Sequence, residues 1–236
     1  MNDPRRIALV TGAGSGIGRA TAIGLHERGF GLVLVGRSRE KLEETARRCG
    51  APDALLVDCD IADSERAAHA IDATIERFGR LDVLVNCAGI APLAPIAKTT
   101  EELLEQTFWT NTFGPAFLIV RAWPVFLSQR GGCIVNVSTI GTSDPFPGFF
   151  AYAASKAAID SFTRSIAREG RAAGITGYCV NPGAVETPLL RTNFPERTIP
   201  PAKALAPEAV AAVVVACACG ERTEDNGRTI PLPSPA

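Results

Sequence analysis

The chain has 236 residues, 46% of them apolar and 21% charged, with a formal net charge of −1 and seven cysteines. That balance offers no basic field for nucleic acid and no acidic tail, and no apolar run reaches membrane-spanning length without a charge or a glycine. The length suits one α/β domain over 1–236 with ample core. The opening Met1-Asn-Asp-Pro-Arg-Arg runs into a strand pattern without a signal peptide, and the scattered cysteines read as reduced thiols, so the expected compartment is the cytoplasm. Cys217-x-Cys219 on a predicted helix, far from both histidines, is a poor zinc site, and no metal is expected.

Residues 6–11 form an apolar strand, followed by Thr11-Gly-Ala-Gly-Ser-Gly-Ile-Gly18 and a helix to about 28. A second strand is expected over 31–36 with a charged helix over 38–49, then a third strand over 54–57. A helix over 63–78 leads to a fourth strand over 81–86. Residues 101–127 read as mainly helical, bent at Pro115 and Pro124. Strands five and six fall at 133–138 and 175–180, separated by an alanine-rich helix over 152–172. A helix over 207–218 and a last strand over 227–232 complete the pattern. Continuously apolar strands that alternate with helices imply a doubly wound, Rossmann-type parallel sheet covered on both faces. Residues 188–206 hold four prolines without periodicity and are expected to form a substrate lid; residues 232–236 are expected to be a flexible tail.

The first strand–helix turn carries Gly12, Gly14, Gly16 and Gly18, with Ser15 and Ile17 between them. Such a turn lets the backbone approach a pyrophosphate, whose charge is favoured at a helix N-terminus. At the tip of the second strand, where an acid would hold the ribose of NAD, stand Gly36, Arg37 and Ser38. A guanidinium there can grip a 2′-phosphate, which predicts NADP(H) in preference to NAD(H). The plainer reading makes Ser38 a helix N-cap and Arg37 a solvated flank.

Tyr152-Ala-Ala-Ser-Lys156 puts a phenol and an ammonium on one helix face. At roughly 4 Å their attraction is about 4 kcal/mol at an effective dielectric of about 20, enough to lower the tyrosine pKa toward neutral acid/base work. An isolated pair of this kind is usually an ordinary surface contact.

Together these motifs resemble the short-chain dehydrogenase/reductase family over almost the whole chain. The matches are Thr11-Gly-x-x-x-Gly-x-Gly18, Asp60-Ile61, Asn86-Cys-Ala88-Gly89, Asn111, Ser138-Thr139, Tyr152-x-x-x-Lys156 and Pro182-Gly183-x-x-x-Thr187. The resemblance implies adenine contacts from Asp60 and Ile61, and a central strand and adenine ribose supported by Asn86, Ala88 and Gly89. It implies nicotinamide contacts from Pro182, Gly183, Val185 and Thr187. Tyr152 would be the acid/base, and Lys156 would hold the nicotinamide ribose. Asn111 would fix a water that relays protons from the lysine to solvent. The substrate-polarising serine of the family falls here on Thr139, with Ser138 as the fallback if the strand bulges. A second departure is the tail, Pro231-Leu-Pro-Ser, where relatives read Asp-Gly-Gly.

The implied activity is hydride transfer between NADP(H) and a carbonyl or secondary alcohol. Competing readings on the same fold are an NAD-linked alcohol dehydrogenase and a nucleotide sensor without turnover. The full set Asn111, Thr139, Tyr152 and Lys156 favours an enzyme. Pro92, Leu93, Phe146, Phe149, Phe150, Leu189, Leu190 and Phe194 on rim loops suggest a small apolar substrate, or simply a lid packed on the body. Arg191 and Arg197 either greet an anionic substrate or stay solvated. Apolar stripes (Ala153, Ala154, Ala157, Ala158 and Phe162; Trp109, Phe113, Phe117 and Val120) together with the resemblance predict a homotetramer.

Overall fold

Runs such as Ile7-Ala-Leu-Val-Thr11 and Gly31-Leu-Val-Leu-Val-Gly36 are apolar on both strand faces, so they can only lie in the middle of a sheet covered twice. The computed structural model, which describes residues 5–235, places them there. Strands β1 (Ile7–Thr11), β2 (Gly31–Gly36), β3 (Leu55–Asp58), β4 (Val83–Asn86), β5 (Gly132–Val137), β6 (Ile175–Pro182) and β7 (Thr229–Leu232) form one sheet in the order β3-β2-β1-β4-β5-β6-β7. Every neighbouring pair is parallel.

Alternate residues of each strand feed different cores. Ala8, Val10, Leu32 and Leu34 pack under α1 (Gly16–Glu27), α2 (Arg39–Cys49) and α8 (Pro207–Ala218), and α1 lies along α8. Ile7, Leu9, Val33 and Val35 face the other way, toward α3 (Ser64–Phe78) and α5 (Gly114–Gln129), with Ile166 of α6 (Phe150–Gly170) closing that layer. Asp63 caps α3 by accepting from the N–H groups of Glu65 and Arg66 at 3.0 and 3.1 Å. The strand order reverses beside β1, between β2 and β4, so a crevice opens at the C-terminal edge there.

The helical stretch after residue 100 differs from the expectation of two proline bends. It is α4 (Glu101–Phe108), a π-helical turn at Trp109–Phe113, and then α5. Pro115 has no N–H to give and a ring that would strike the carbonyl four residues back; the widened turn just before it relieves both. Pro124 does not break α5, and it lies on the exposed side beside Val120. The π turn directs Asn111 and Thr112 into the body, where both are buried against α6.

The segment at 188–206 is more ordered than its prolines suggest. It holds α7 (Pro188–Asn193) and a 3-10 turn at Pro201–Lys203. Arg191 pairs with Glu186 and donates to the carbonyls of Phe194 and Ile199 at 3.1 and 2.8 Å. Arg191 is therefore an internal staple, neither solvated nor facing a substrate. The tail also departs from expectation: the Gly183 N–H donates to the Leu232 carbonyl at 2.9 Å, and the Ala184 N–H donates to Ser234 Oγ at 2.8 Å. Residues through Ser234 are thus bound to the end of β6, while Ala236 lies outside the described residues. Among the described residues, no helix is long and apolar enough to cross a membrane.

Candidate active site

The glycine turn, the tip of β2 and the end of β4 enclose a cleft of about 360 Å³. It is lined by Gly12, Ser15, Gly16, Ile17, Gly18, Arg37, Ser38, Asp60, Ile61, Ala88, Gly89 and Thr187 from among the residues singled out in the sequence. Gly12 has φ +66, and a Cβ on it would lie 2.9 Å from Ala88 Cα, so only glycine lets the β1 turn nestle on β4. Thr11 ties the same junction by accepting from the N–H groups of Cys87 and Ala88 at 3.0 and 3.1 Å. Arg19 and Thr45 brace the loop from behind through the carbonyls of Gly14 and Ala13. Ser15 starts α1 without using its side chain as a cap, which leaves the first-turn N–H groups facing the cleft.

At the far end Arg37 is exposed, and no ion pair or hydrogen bond engages it among the described residues. Ser38 does cap α2, accepting from the Lys41 N–H at 3.4 Å, so the plainer reading of that residue is realised while it still lines the cleft. Arg39 turns away to Glu43 and the Leu56 carbonyl. Lys41 also lines the cleft, a second cation that the sequence analysis did not include among the cofactor residues. Its signal was its place in the first turn of α2, three residues after the N-cap Ser38. Asn86, by contrast, reaches neither this cleft nor the next cavity. It is buried in the sheet and donates to Asn136 Oδ1 at 2.9 Å, so it braces the central strands from behind.

Through Ile17, Cys87, Gly89, Thr187 and Leu189 the cleft continues into a second cavity of about 470 Å³. Its walls bring together Ser138, Thr139, Tyr152, Lys156, Pro182, Gly183 and Val185. β5 ends at Val137 without a bulge, and strand alternation then separates the two candidate hydroxyls. Ser138 donates to the Lys156 carbonyl at 3.3 Å and is buried, whereas the Thr139 hydroxyl accepts from the Gly141 N–H at 3.1 Å and lies on the Tyr152 side, where it favours the phenolate.

Asn111 lies behind Gly89 and α6, not on either cavity. Its amide donates to the Ile90 carbonyl at 2.8 Å and to Ser155 Oγ at 3.0 Å, and its Oδ1 accepts from the Ile90 N–H at 2.8 Å. Ser155 donates to the Tyr152 carbonyl at 2.7 Å, so the π turn clamps the first turn of α6 through Asn111. With the side chain spent in this way, only the Asn111 backbone remains for any water.

The electrostatics reverse one expectation. Crowding around the phenol pushes Tyr152 up to about 12, and the Thr139 hydrogen bond offsets this only in part. Lys156 is not among the groups that act on it. The Lys156 ammonium donates to the Val137 carbonyl at 2.9 Å, and burial lowers its own pKa. Loss of hydration by both groups outweighs the attraction inferred from their four-residue spacing.

Of the apolar rim residues, Phe146, Phe149, Leu189, Leu190 and Phe194 line the second cavity, while Pro92, Leu93 and Phe150 do not. Phe149 stands between Tyr152 and the lid, 5.1 Å from the Tyr152 ring and 6.0 Å from Phe194. Asn193 ties the lid across the cavity mouth by donating to the Ala91 carbonyl at 2.6 Å.

A glycine turn feeding a pyrophosphate-sized cleft, joined to a cavity that holds a tyrosine, a lysine and a hydroxyl, coincides with a match of residues 6–198 to the family described as short chain dehydrogenase. The chain is a short-chain dehydrogenase/reductase. This oxidoreductase family uses nicotinamide cofactors, and the cleft fits one by its glycine cradle, free helix N-terminus and paired cations. The dehydrogenase/reductase is 40% identical over 200 residues to 2-(R)-hydroxypropyl-CoM dehydrogenase of Xanthobacter autotrophicus, covering 81% of this chain and 80% of that one. It is 33% identical over 193 residues to an uncharacterized oxidoreductase of Staphylococcus epidermidis, covering 81% and 84%. Among solved structures it matches levodione reductase with a TM-score of 0.90 at 29% identity, over 97% and 96% of the two chains. It also matches a 3-ketoacyl-(acyl-carrier-protein) reductase from Brucella melitensis, complexed with NADH, with a TM-score of 0.89 at 26% identity over 96% of each chain.

Proposed function

We propose that this dehydrogenase/reductase interconverts an uncharged, largely apolar ketone and its secondary alcohol with NADP(H), Tyr152 serving as acid and base. The observation that carries this reading is the convergence of the Tyr152 phenol and the Thr139 hydroxyl where the glycine-lined cleft opens into the apolar cavity. In reduction, Tyr152 gives its proton to the substrate oxygen while Thr139 holds that oxygen, so charge developing there meets donors already in place. The nicotinamide supplies or takes the hydride when bound. Lys156, held by the Val137 carbonyl, is set to hold the ribose hydroxyls, and Asn111 keeps the first turn of α6 in position. Pro182, Gly183, Val185 and Thr187 form the wall suited to the nicotinamide end. Lys156 is the one cation on the cavity wall among the described residues, and the ribose hydroxyls it would hold take up the donors that its bond to Val137 leaves, so the wall offers no further cation to an anionic substrate. Following NADPH absorbance against a panel of neutral and carboxylated ketones tests the reading. Turnover confined to the carboxylated members would refute the substrate class.

The raised phenol sets the pH dependence. A proton donor with a pKa near 12 stays protonated through neutral and mildly alkaline pH. The expected kcat/KM for reduction is therefore flat from about pH 6 to about pH 9, while alcohol oxidation, which needs the phenolate, climbs roughly tenfold per pH unit. A reduction profile that falls with a midpoint near neutrality would show that the lysine lowers the phenol after all.

The reading includes a homotetramer. Trp109, Phe113 and Val120 are 44%, 43% and 72% exposed, and an apolar groove lined by Ile119, Trp123 and Phe162 runs between α5 and α6. A second copy presenting the same two helices would cover this face in a self-complementary way. Light scattering at micromolar concentration is expected to give about four times the 24.8 kDa chain mass. A monomer mass would contradict the assembly.

A further inference from the structure

We propose that Ser234, on the segment after β7, is a specificity-determining residue whose hydroxyl donates to a second oxygen on the substrate, so that the preferred ketones carry a carbonyl, ether or hydroxyl acceptor close to the reacting group. The inference rests on the ketone-reductase reading above and adds to it the chemistry of the non-reacting end.

Ser234 lines the apolar cavity and not the glycine-lined cleft, and it stands where the wall assigned to the nicotinamide, at Gly183, meets Ile140 beside Thr139. Its position is built. A Cβ on Gly183 would lie 2.5 Å from Ser234 Oγ and 2.9 Å from its backbone nitrogen, so the absent side chain is what lets the segment close on β6. The same Cβ would lie 3.3 Å from Ile140 Cδ1, which sets Ser234 on the side of the cavity entered just after Thr139. Prolines at 231, 233 and 235 restrict the backbone on both sides and reduce the entropy lost when the hydroxyl meets a ligand.

The hydrogen-bond inventory singles this group out. Ser234 Oγ accepts from the Ala184 N–H at 2.8 Å, and among the described residues nothing accepts its proton. Thr139, Tyr152 and Lys156 serve the reacting oxygen and the cofactor, and the remaining polar groups on the wall are committed or peripheral: Ser138 donates to the Lys156 carbonyl, Thr187 to the Val185 carbonyl and Asn193 to the Ala91 carbonyl, while Thr198 lies exposed at the rim. An oriented donor in an otherwise apolar wall discriminates between ligands that can and cannot accept from it.

The test pairs a vicinal aryl diketone with the matching monoketone, phenylpropanedione against propiophenone, in steady-state kinetics with NADPH. Ser234→Ala is expected to lower kcat/KM for the diketone roughly five- to tenfold, mainly through KM, and to change the monoketone less than about twofold. Ser234→Thr, which keeps the hydroxyl, should retain most of the diketone preference. Comparing each ketone with itself across variants cancels the greater intrinsic reactivity of the diketone. Equal losses on both ketones would reduce Ser234 to a support for Ala184, and an unchanged diketone rate would remove it from the site; either result overturns the proposal. Failure of the wild-type protein to reduce either ketone would instead count against the reductase reading and take this inference with it.

Discussion

Replacing Tyr152 by Phe is expected to lower turnover by roughly a hundred- to ten-thousandfold, while NADPH affinity stays within about twofold. The substitution removes one oxygen. It leaves the ring against Phe149, and it leaves α6 held by the Asn111–Ser155–Tyr152 backbone chain. Thr139 keeps its bond to the Gly141 N–H and can still hold the substrate oxygen, so the loss isolates proton transfer. Single-turnover measurements at saturating NADPH, with cofactor binding followed by fluorescence, separate the two effects. Substantial turnover by the variant would remove Tyr152 from the role of proton donor.

The second large effect concerns the cofactor. The protein is expected to prefer NADPH over NADH by roughly ten- to a hundredfold in kcat/KM, which corresponds to about 1.4 to 2.8 kcal/mol. Arg37 lines the cleft with no ion pair engaging it among the described residues, and Lys41 in the first turn of α2 lines it too, so two cations rather than one can meet a 2′-phosphate. Arg37→Ala and Lys41→Ala should each raise KM for NADPH and barely alter that for NADH. Gly36→Asp should invert the preference by setting a carboxylate where the phosphate would lie. The fold can accept that change, because a Cβ at Gly36 would lie 3.2 Å from the Leu42 Cδ2 methyl, a contact relieved by a small side-chain shift. Both cations are exposed, so the measurements belong at low salt. Equal efficiency with the two cofactors would refute the reading of the β2 tip.

The sheet was legible because its strands are apolar on both faces, and the glycine turn because its position between β1 and α1 leaves few other roles. What escaped the sequence lies at the level of side-chain direction and hydration. Asn86, expected to support both the central strand and the adenine ribose, does the first and not the second: it lies within β4, where its side chain points into the sheet toward Asn136. The π turn at Trp109–Phe113 has no compositional mark, since widening by one residue changes hydrogen-bond register and not residue type. Proline-rich composition suggested a loose tail, but Ser234 is anchored by a contact that depends on Gly183, 51 positions away. The sign of the Tyr152 shift was missed for a related reason: spacing reveals a neighbouring charge, but burial becomes visible only once the chain is folded.

A site that performs carbonyl chemistry and one that only binds a nucleotide differ in turnover. The most direct measurement is ketone-dependent loss of NADPH absorbance by the wild-type protein across a panel of neutral aryl and alicyclic ketones, with Tyr152→Phe in parallel. The predicted result is turnover of at least one member by the wild type and none above background by the variant. Stoichiometric NADPH binding with no ketone-dependent oxidation anywhere in the panel would contradict the account and leave a nucleotide-binding protein without turnover.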